Sequence, residues 1–346
     1  EPWTARKALR RFLEHEREHT AQVLEILSDW RAHLLAWLAA ERARFLAQFI
    51  GLDEMALTEP PVFDDWTAKD LLAHVAGWDE FFTQRIAFVV AGREKEIAGV
   101  DLDARNAALH AECGDWPLER AVEACGGARQ GFLAALAPLP DEELHRLRRV
   151  GWGETSVRRW AQWRAWHDAT HAAHLTVWRE AQGLEGTAGP KVVLSAALSA
   201  ARQELLAAAA LVAPEDRASR AVCGVWALKD LLGHIADWEW VGAEGLRDMA
   251  ARRSPQVEHI ADIEAWNQVH YQARRDQPWD DVWADLHAAR EALVEVLEGM
   301  DQADLARSFR FPWGPEGTAY DWVSVYLTHD REHARDLSDA AAAWWT

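Results

Sequence analysis

The chain is two copies of one unit, so any fold proposed for it has to work twice. Asp65-Trp66-Thr-Ala-Lys69-Asp70-Leu71-Leu72-Ala-His74-Val-Ala-Gly-Trp78 matches Val225-Trp226-Ala-Leu-Lys229-Asp230-Leu231-Leu232-Gly-His234-Ile-Ala-Asp-Trp238 at an offset of 160. Further along, Asn106 matches Asn267, Asp115 matches Asp276, Pro117 matches Pro278, and Trp152-Gly153 matches Trp313-Gly314. His167-Asp168-x-x-His171 matches His329-Asp330-x-x-His333, now at an offset of 162. Self-similarity at a fixed period is the signature of a duplicated structural unit. The length of 346 residues agrees, since a domain takes roughly 100–200 residues. The join is Gly183-Leu-Glu-Gly186-Thr-Ala-Gly189-Pro190, whose Gly and Pro break helix.

Within each unit the apolar residues recur at three- and four-residue spacing on a background rich in Ala, Leu, Arg and Glu. This is the pattern of amphipathic helices built from good helix formers. Alternating, strand-like runs are nearly absent. The fold class expected is all-α, with four helices per unit forming a bundle. The first unit, 29–186, is read with helices near 29–50, 67–91, 116–137 and 157–181. The second, 187–346, has them near 191–212, 227–252, 279–299 and 319–342. Residues 1–28 belong to neither. They resemble a further copy of the last helix: Thr4, Ser156 and Thr318 each stand eleven residues before the first His, as N-cap residues would. An acid, Glu16, Asp168 or Asp330, follows that His each time. The simplest account is the fourth helix of a preceding unit, and an added packing helix is the alternative.

Composition bounds the partners. Lys plus Arg is 37 and Asp plus Glu is 56, a net charge of −19. So acidic a chain repels nucleic-acid backbones and anionic membrane surfaces, so neither is expected as a partner. No apolar run is read as approaching the ~20 residues needed to span a bilayer, no secretory leader pattern is read, and a cytoplasmic location is expected. Cys113, Cys125 and Cys223 are odd in number, lack CxxC spacing and have no repeat mates, which argues against a disulfide framework and against a nucleophilic cysteine.

The 15 His and 21 Trp are the unusual entries. His167 and His171 stand at i and i+4, on one helix face, as do His329 and His333. Two imidazoles so placed can share a metal ion, and a third must come from another helix. His74 and its mate His234 are the candidates, being the histidines kept in the second helix of each unit. The expected sites are His74, His167, His171 and His234, His329, His333. Three neutral imidazoles leave open positions on Zn²⁺ or Ni²⁺, as catalytic rather than structural sites do. His15-Glu16-Arg-Glu-His19 matches HExxH by spacing, but the repeats assign it to a fourth helix rather than to a metalloprotease motif. His174 has Asp336 as its counterpart, which places it outside a repeated ligand set. Two roles fit Asp70 and Asp230: orienting the imidazole one turn on, or serving the first helical turn as acids do. Trp78 and Trp238 are read as core residues or as the wall of a substrate pocket. Asn106 and Asn267 are read as helix caps.

The W-x-x-K-D-L-L-x-H-x-x-x-W segment with the later H-x-x-x-H resembles the DinB/YfiT-like superfamily, and the Trp-x-x-Lys-Asp part most resembles its ClbS/DfsB branch. The resemblance covers both units. It implies four-helix bundles, each with a three-His metal site at one end: His74, His167, His171 and His234, His329, His333. Relatives act as thiol-linked transferases, isomerases, or detoxifiers of electrophilic natural products, and are often dimers, so the fused units are expected to pair as a pseudo-dimer, with a homodimer as the other option. Two functions follow as expectations. One is a metal-dependent thiol-transferase or hydrolase acting on a small electrophile, with a low-molecular-weight thiol as possible co-substrate. The other is a sequestering protein that holds a small molecule in a Trp-lined pocket without turnover.

Overall fold

The computed structural model describes residues 30–183, 186–257, 260, 262–312 and 316–344. The 1–28 segment with His15 and His19, and the repeat pair Trp313-Gly314, lie outside the described residues. The chain forms two compact units. One contains the residues up to Gln48 and Leu57–Gln182; the other contains Phe49–Ala56 and Gly183–Thr346. The short segment 49–56 therefore belongs to the second unit, not to the first as the 29–186 boundary had it.

The all-α reading holds. In the first unit the long helices are α1 (Trp30–Ala47), α2 (Ala68–Val90), α3 (Leu102–Cys113), α4 (Leu118–Leu136) and α5 (Val157–Gln182). In the second they are α6 (Lys191–Ala209), α7 (Leu228–Ala250), α8 (Ile263–Arg274), α9 (Trp279–Gly299) and α10 (Ala319–Ala343). Within the first unit α2 lies along α4 and α1 along α5, and the two pairs join where α2 meets α5. The second unit repeats this with α7 on α9, α6 on α10 and α7 on α10. Each unit thus carries the four expected helices plus one more, α3 or α8, which packs on the helix bearing the first histidine. Two-stranded antiparallel hairpins complete the units: β1 (Pro61–Phe63) with β2 (Trp66–Thr67), β3 (Arg148–Val150) with β4 (Gly153–Thr155), β5 (Ala221–Cys223) with β6 (Trp226–Ala227), and β7 (Ser308–Arg310) with β8 (Glu316–Thr318). Strands of two or three residues are too short to show alternation in a sequence.

Local chemistry sets the ends of the helices. Thr67 and Asp70 form a reciprocal capping box on α2, as Thr318 and Asp321 do on α10. Ser156 Oγ accepts from Arg159 N at 3.2 Å to start α5. Asp101 and Asp262, rather than Asn106 and Asn267, cap α3 and α8. Lys69 Nζ donates to Trp116 O at 3.0 Å, and Lys229 Nζ donates to Arg275 O at 2.7 Å and Gln277 O at 3.0 Å. The repeated lysine therefore ties the start of one helix to the loop before another. α6 is 19 residues long and passes for a membrane span by length and composition, which corrects the reading that no run comes close. It serves here as a core helix, with 61% of its apolar window buried inside the unit.

The cores are apolar and close-packed: Leu38, Leu71, Phe132 and Trp160 are fully buried in the first unit, and Leu205, Leu231, Ile235, Leu286 and Leu337 in the second. Each such side chain contributes ~1.5–3 kcal/mol relative to exposure. Close approach of α10 to α7 needs Gly245, because a Cβ there would meet Trp322 Cζ2 at 2.3 Å.

Inside each bundle lies a lattice of buried charge that the sequence reading did not anticipate. In the first unit Arg42 donates to Asp168 at 2.9 Å and to Asp79 at 2.8 Å, Arg129 to Asp79 at 2.9 Å and to Asp168 at 2.8 Å, and Arg164 to Asp79 at 2.7 Å. In the second unit Arg202 reaches Asp330 at 3.0 Å and also Glu239, while Arg290 bonds Glu239 and, at 2.8 Å, Asp330. Burial by itself would push the Asp79 carboxyl up, but Arg129, Arg164 and Arg42 hold it well below the usual carboxylate range.

Removing one member of such a lattice strands its partners. We expect Asp79→Ala to destabilise the protein by ~3–5 kcal/mol in denaturant titration. Glu96→Ala, which removes the exposed Arg93–Glu96 pair, leaves the midpoint unchanged.

Candidate metal centre and its pocket

The segment around the first histidine assigns one task to each residue. Trp66, in the hairpin before α2, sets its ring 5.0 Å from that of His74, and Trp226 sits 4.8 Å from His234. The hairpin turn that places Trp66 passes through Asp64 at φ 47°, and its mate Gly224 adopts φ 56°. This left-handed conformation favours Gly and tolerates Asp. Asp70 Oδ2 accepts from Thr67 N at 2.9 Å, and Asp230 Oδ2 from Ala227 N at 3.0 Å. Of the two roles open to these acids, the hydrogen bonds are those of helix capping. His74 Nδ1 is buried without a hydrogen-bond partner, so Asp70 does not orient it.

The structure brings together all six histidines singled out from the sequence, three by three. His74 Nε2 lies 2.9 Å from His167 Nε2, which lies 3.2 Å from His171 Nε2. In the second unit His329 Nε2 lies 3.1 Å from both His234 Nε2 and His333 Nε2. Within each triad the candidate ligand atoms all fall within 4.8 Å of one another. Tetrahedral ligands bound at ~2.05 Å stand ~3.3 Å apart, so the spacing fits a metal-ligand set and equally fits hydrogen bonds between the rings.

A ligand nitrogen must be unprotonated, and the surroundings enforce this. Burial, followed by the Arg164 and Arg105 charges, pulls His74 down to about 3. Burial and the neighbouring His329 and His333 pull His234 down to about 3. Burial and His333 bring His329 to about 4. His167 and His171 are held well below the ordinary imidazole value, chiefly by burial. His174 is exposed, with its ring 5.5 Å from that of His171.

Each triad opens onto an apolar cavity. The first, about 450 Å³, is lined by His74, His167 and Arg164 together with Trp78, Phe81, Phe82, Trp152 and Trp163. The second, about 380 Å³, is lined by His234, His329, Trp238, Ile260, Ile263 and Tyr326, among others. Trp78 and Trp238 thus wall the cavities, and Trp78 packs in the core as well. Their indole N–H groups donate to Asn106 Oδ1 and Asn267 Oδ1, each at 3.0 Å. These asparagines lie inside α3 and α8, line the cavities and lock the tryptophans. The capping role expected for them is therefore corrected. Their repetition, 28 and 29 residues after the tryptophan, is the signal available in the sequence.

The DinB superfamily profile matches residues 37–175 and 197–337, one match in each unit. The chain belongs to the DinB superfamily. The match does not select a branch within it. No curated protein and no solved structure matches the chain.

Because five of these imidazoles, His74, His167, His171, His234 and His329, bind protons more weakly folded than unfolded, the unfolded chain takes up protons first on acidification. Stability of chelator-treated protein should therefore fall as pH drops from about 6.5 to about 4, where His329 begins to titrate. The slope is up to ~1.4 kcal/mol per pH unit for each histidine that stays neutral in the fold. Denaturation midpoints measured across this range check it, and His234→Gln should flatten the slope by one such contribution.

Proposed function

We propose that this DinB-superfamily chain is a metal-dependent enzyme acting on a small, largely apolar electrophile, by transfer to a low-molecular-weight thiol or to water. The observation that carries the reading is the convergence of three neutral Nε2 atoms on the wall of an aromatic cavity. His74, His167, His171 and His234, His329, His333 are the candidate ligands. An all-imidazole donor set suits zinc or nickel. Bound there, such an ion supplies Lewis acidity and lowers the pKa of a coordinated water or thiol.

The chain's own residues account for the rest. Trp78 and Trp238 offer flat apolar surface, and Asn106 and Asn267 fix their orientation. Among the described residues no carboxylate lines either cavity, and the three free cysteines have thiols pushed up by burial. No side chain here is placed to attack a substrate, so the nucleophile has to come from solution. The same facts support sequestration as a second reading, because an apolar cavity binds without any chemistry at all.

The test is to express the protein with Zn²⁺ or Ni²⁺ supplied, measure bound metal, and assay thiol consumption with a panel of electrophiles. We expect divalent metal to co-purify, and His329→Ala to lower turnover at least ~100-fold. Trp238→Ala should raise KM more than it lowers kcat. Ligand binding that survives His329→Ala with no product formed in either protein would establish sequestration instead.

A further inference from the structure

The two triads are built from matching histidines but are not chemically equivalent. In the first unit Arg164 Nη2 lies 2.9 Å from His167 Nδ1. A guanidinium has donors and no acceptor, so Nδ1 accepts and the hydrogen of the neutral ring sits on Nε2. That Nε2 is the atom facing His74 and His171. His167 thus presents a hydrogen where a ligand must present a lone pair. Arg164 is not free to leave, because it is buried and its Nε donates to Asp79 at 2.7 Å.

Charge points the same way. Among the described residues the first lattice sets Arg42, Arg129 and Arg164 against Asp79 and Asp168. The second sets Arg202 and Arg290 against Glu239 and Asp330, and Tyr326 occupies the position of Arg164. A divalent cation in the first triad would sit beside a buried surplus of positive charge; in the second it would not.

The outer partners of the last histidine differ as well. His333 Nδ1 donates to Asp336 Oδ2 at 2.9 Å. This fixes its lone pair on Nε2, toward His329, and a carboxylate behind an imidazole strengthens it as a ligand. In the first unit the position of Asp336 is taken by His174, and His171 Nδ1 is buried without a hydrogen-bond partner.

We propose that the chain holds one metal ion, in the second unit on His234, His329 and His333. In the first unit Arg164 keeps the triad as a metal-free hydrogen-bonded cluster at the base of a pocket for an aromatic or apolar molecule. This rests on the metal reading above and narrows it to one of the two sites.

The test is titration of the metal-free full chain with Co²⁺, followed by its visible absorption, and with Zn²⁺ in a calorimeter. One tight site per chain is expected, with any binding at the first triad at least ~100-fold weaker. The tight site should vanish in His333→Ala and persist in His74→Ala. Asp336→Ala should weaken it ~10–100-fold. Arg164→Tyr, which copies the second unit, should raise the stoichiometry to two. Two comparable sites in the wild-type chain, or loss of the tight site in His74→Ala but not in His333→Ala, would overturn the proposal and leave the metal reading standing. No binding in a chain that circular dichroism shows to be folded would end both. If Arg164→Tyr does not fold, wild-type stoichiometry and the two histidine variants decide the matter.

Discussion

Each bundle is organised around charge buried where apolar residues would ordinarily be. All four bundle helices of the first unit contribute: Arg42 from α1, Asp79 from α2, Arg129 from α4, and Asp168 with Arg164 from α5. The second unit repeats the order with Arg202, Glu239, Arg290 and Asp330. Such lattices are weak devices for raising stability, since desolvation offsets most of the attraction. Their effect is on register. An acid that must meet two arginines from opposite helices permits one rotation of its own helix. Asp168 and Asp330 directly follow His167 and His329, and Asp79 and Glu239 lie five residues after His74 and His234. The lattice that fixes those helices therefore also fixes where the imidazoles point.

The sequence showed the repeat, the long bundle helices and the histidines, because each is written locally. Helical spacing is visible in any window of a dozen residues, and the i, i+4 pair is a statement about one helix. What it did not show depends on partners distant in the chain. Arg42 and Arg129 look like ordinary surface arginines until α1 and α4 are placed around Asp79. Asn106 reads as a polar residue near a helix start, and only the packing of α3 on α2 reveals that it receives the Trp78 indole. α3 itself escaped because its segment has few large apolar side chains, and only Leu109 and Cys113 are buried. For Asp70 the sequence leaves two roles open. Thr67 stands at capping-box spacing from Asp70 in the sequence, and the choice between the roles turns on the hydrogen bond Asp70 accepts from Thr67 N and on His74 Nδ1 having no partner.

The difference between the units lies one layer outside the histidines. Among the positions at which the copies have diverged in chemistry are Phe63 against Cys223, Arg164 against Tyr326, and His174 against Asp336. All three surround the triad. In the second unit Cys223 Sγ donates to Asp336 at 3.6 Å, extending a polar chain behind His333. In the first, Phe63 lies 6.2 Å from the His171 ring and 5.2 Å from that of His174, so aromatic surface replaces the carboxylate. Comparing only the imidazoles would rate the copies as identical. The hydrogen bonds those imidazoles make on their far side separate them, because a histidine has two nitrogens and the partner of one decides what the other can do.

Arg164 is where the two levels of this structure meet. With Nε it belongs to the buried lattice, and with Nη2 it reaches the triad. A tyrosine brings no positive charge, so in the second unit the lattice balances in charge without any contribution from the site. A substitution at this one position therefore acts on both fold and chemistry in the first unit. It changes the charge balance among Asp79, Asp168 and their arginines, and it changes which nitrogen of His167 carries the hydrogen. His329 has no arginine one turn before it, and its helix meets the second lattice through Asp330. The first unit couples its histidines to its core through Arg164 as well as through Asp168, and the second does so through Asp330, with no arginine reaching the triad among the described residues.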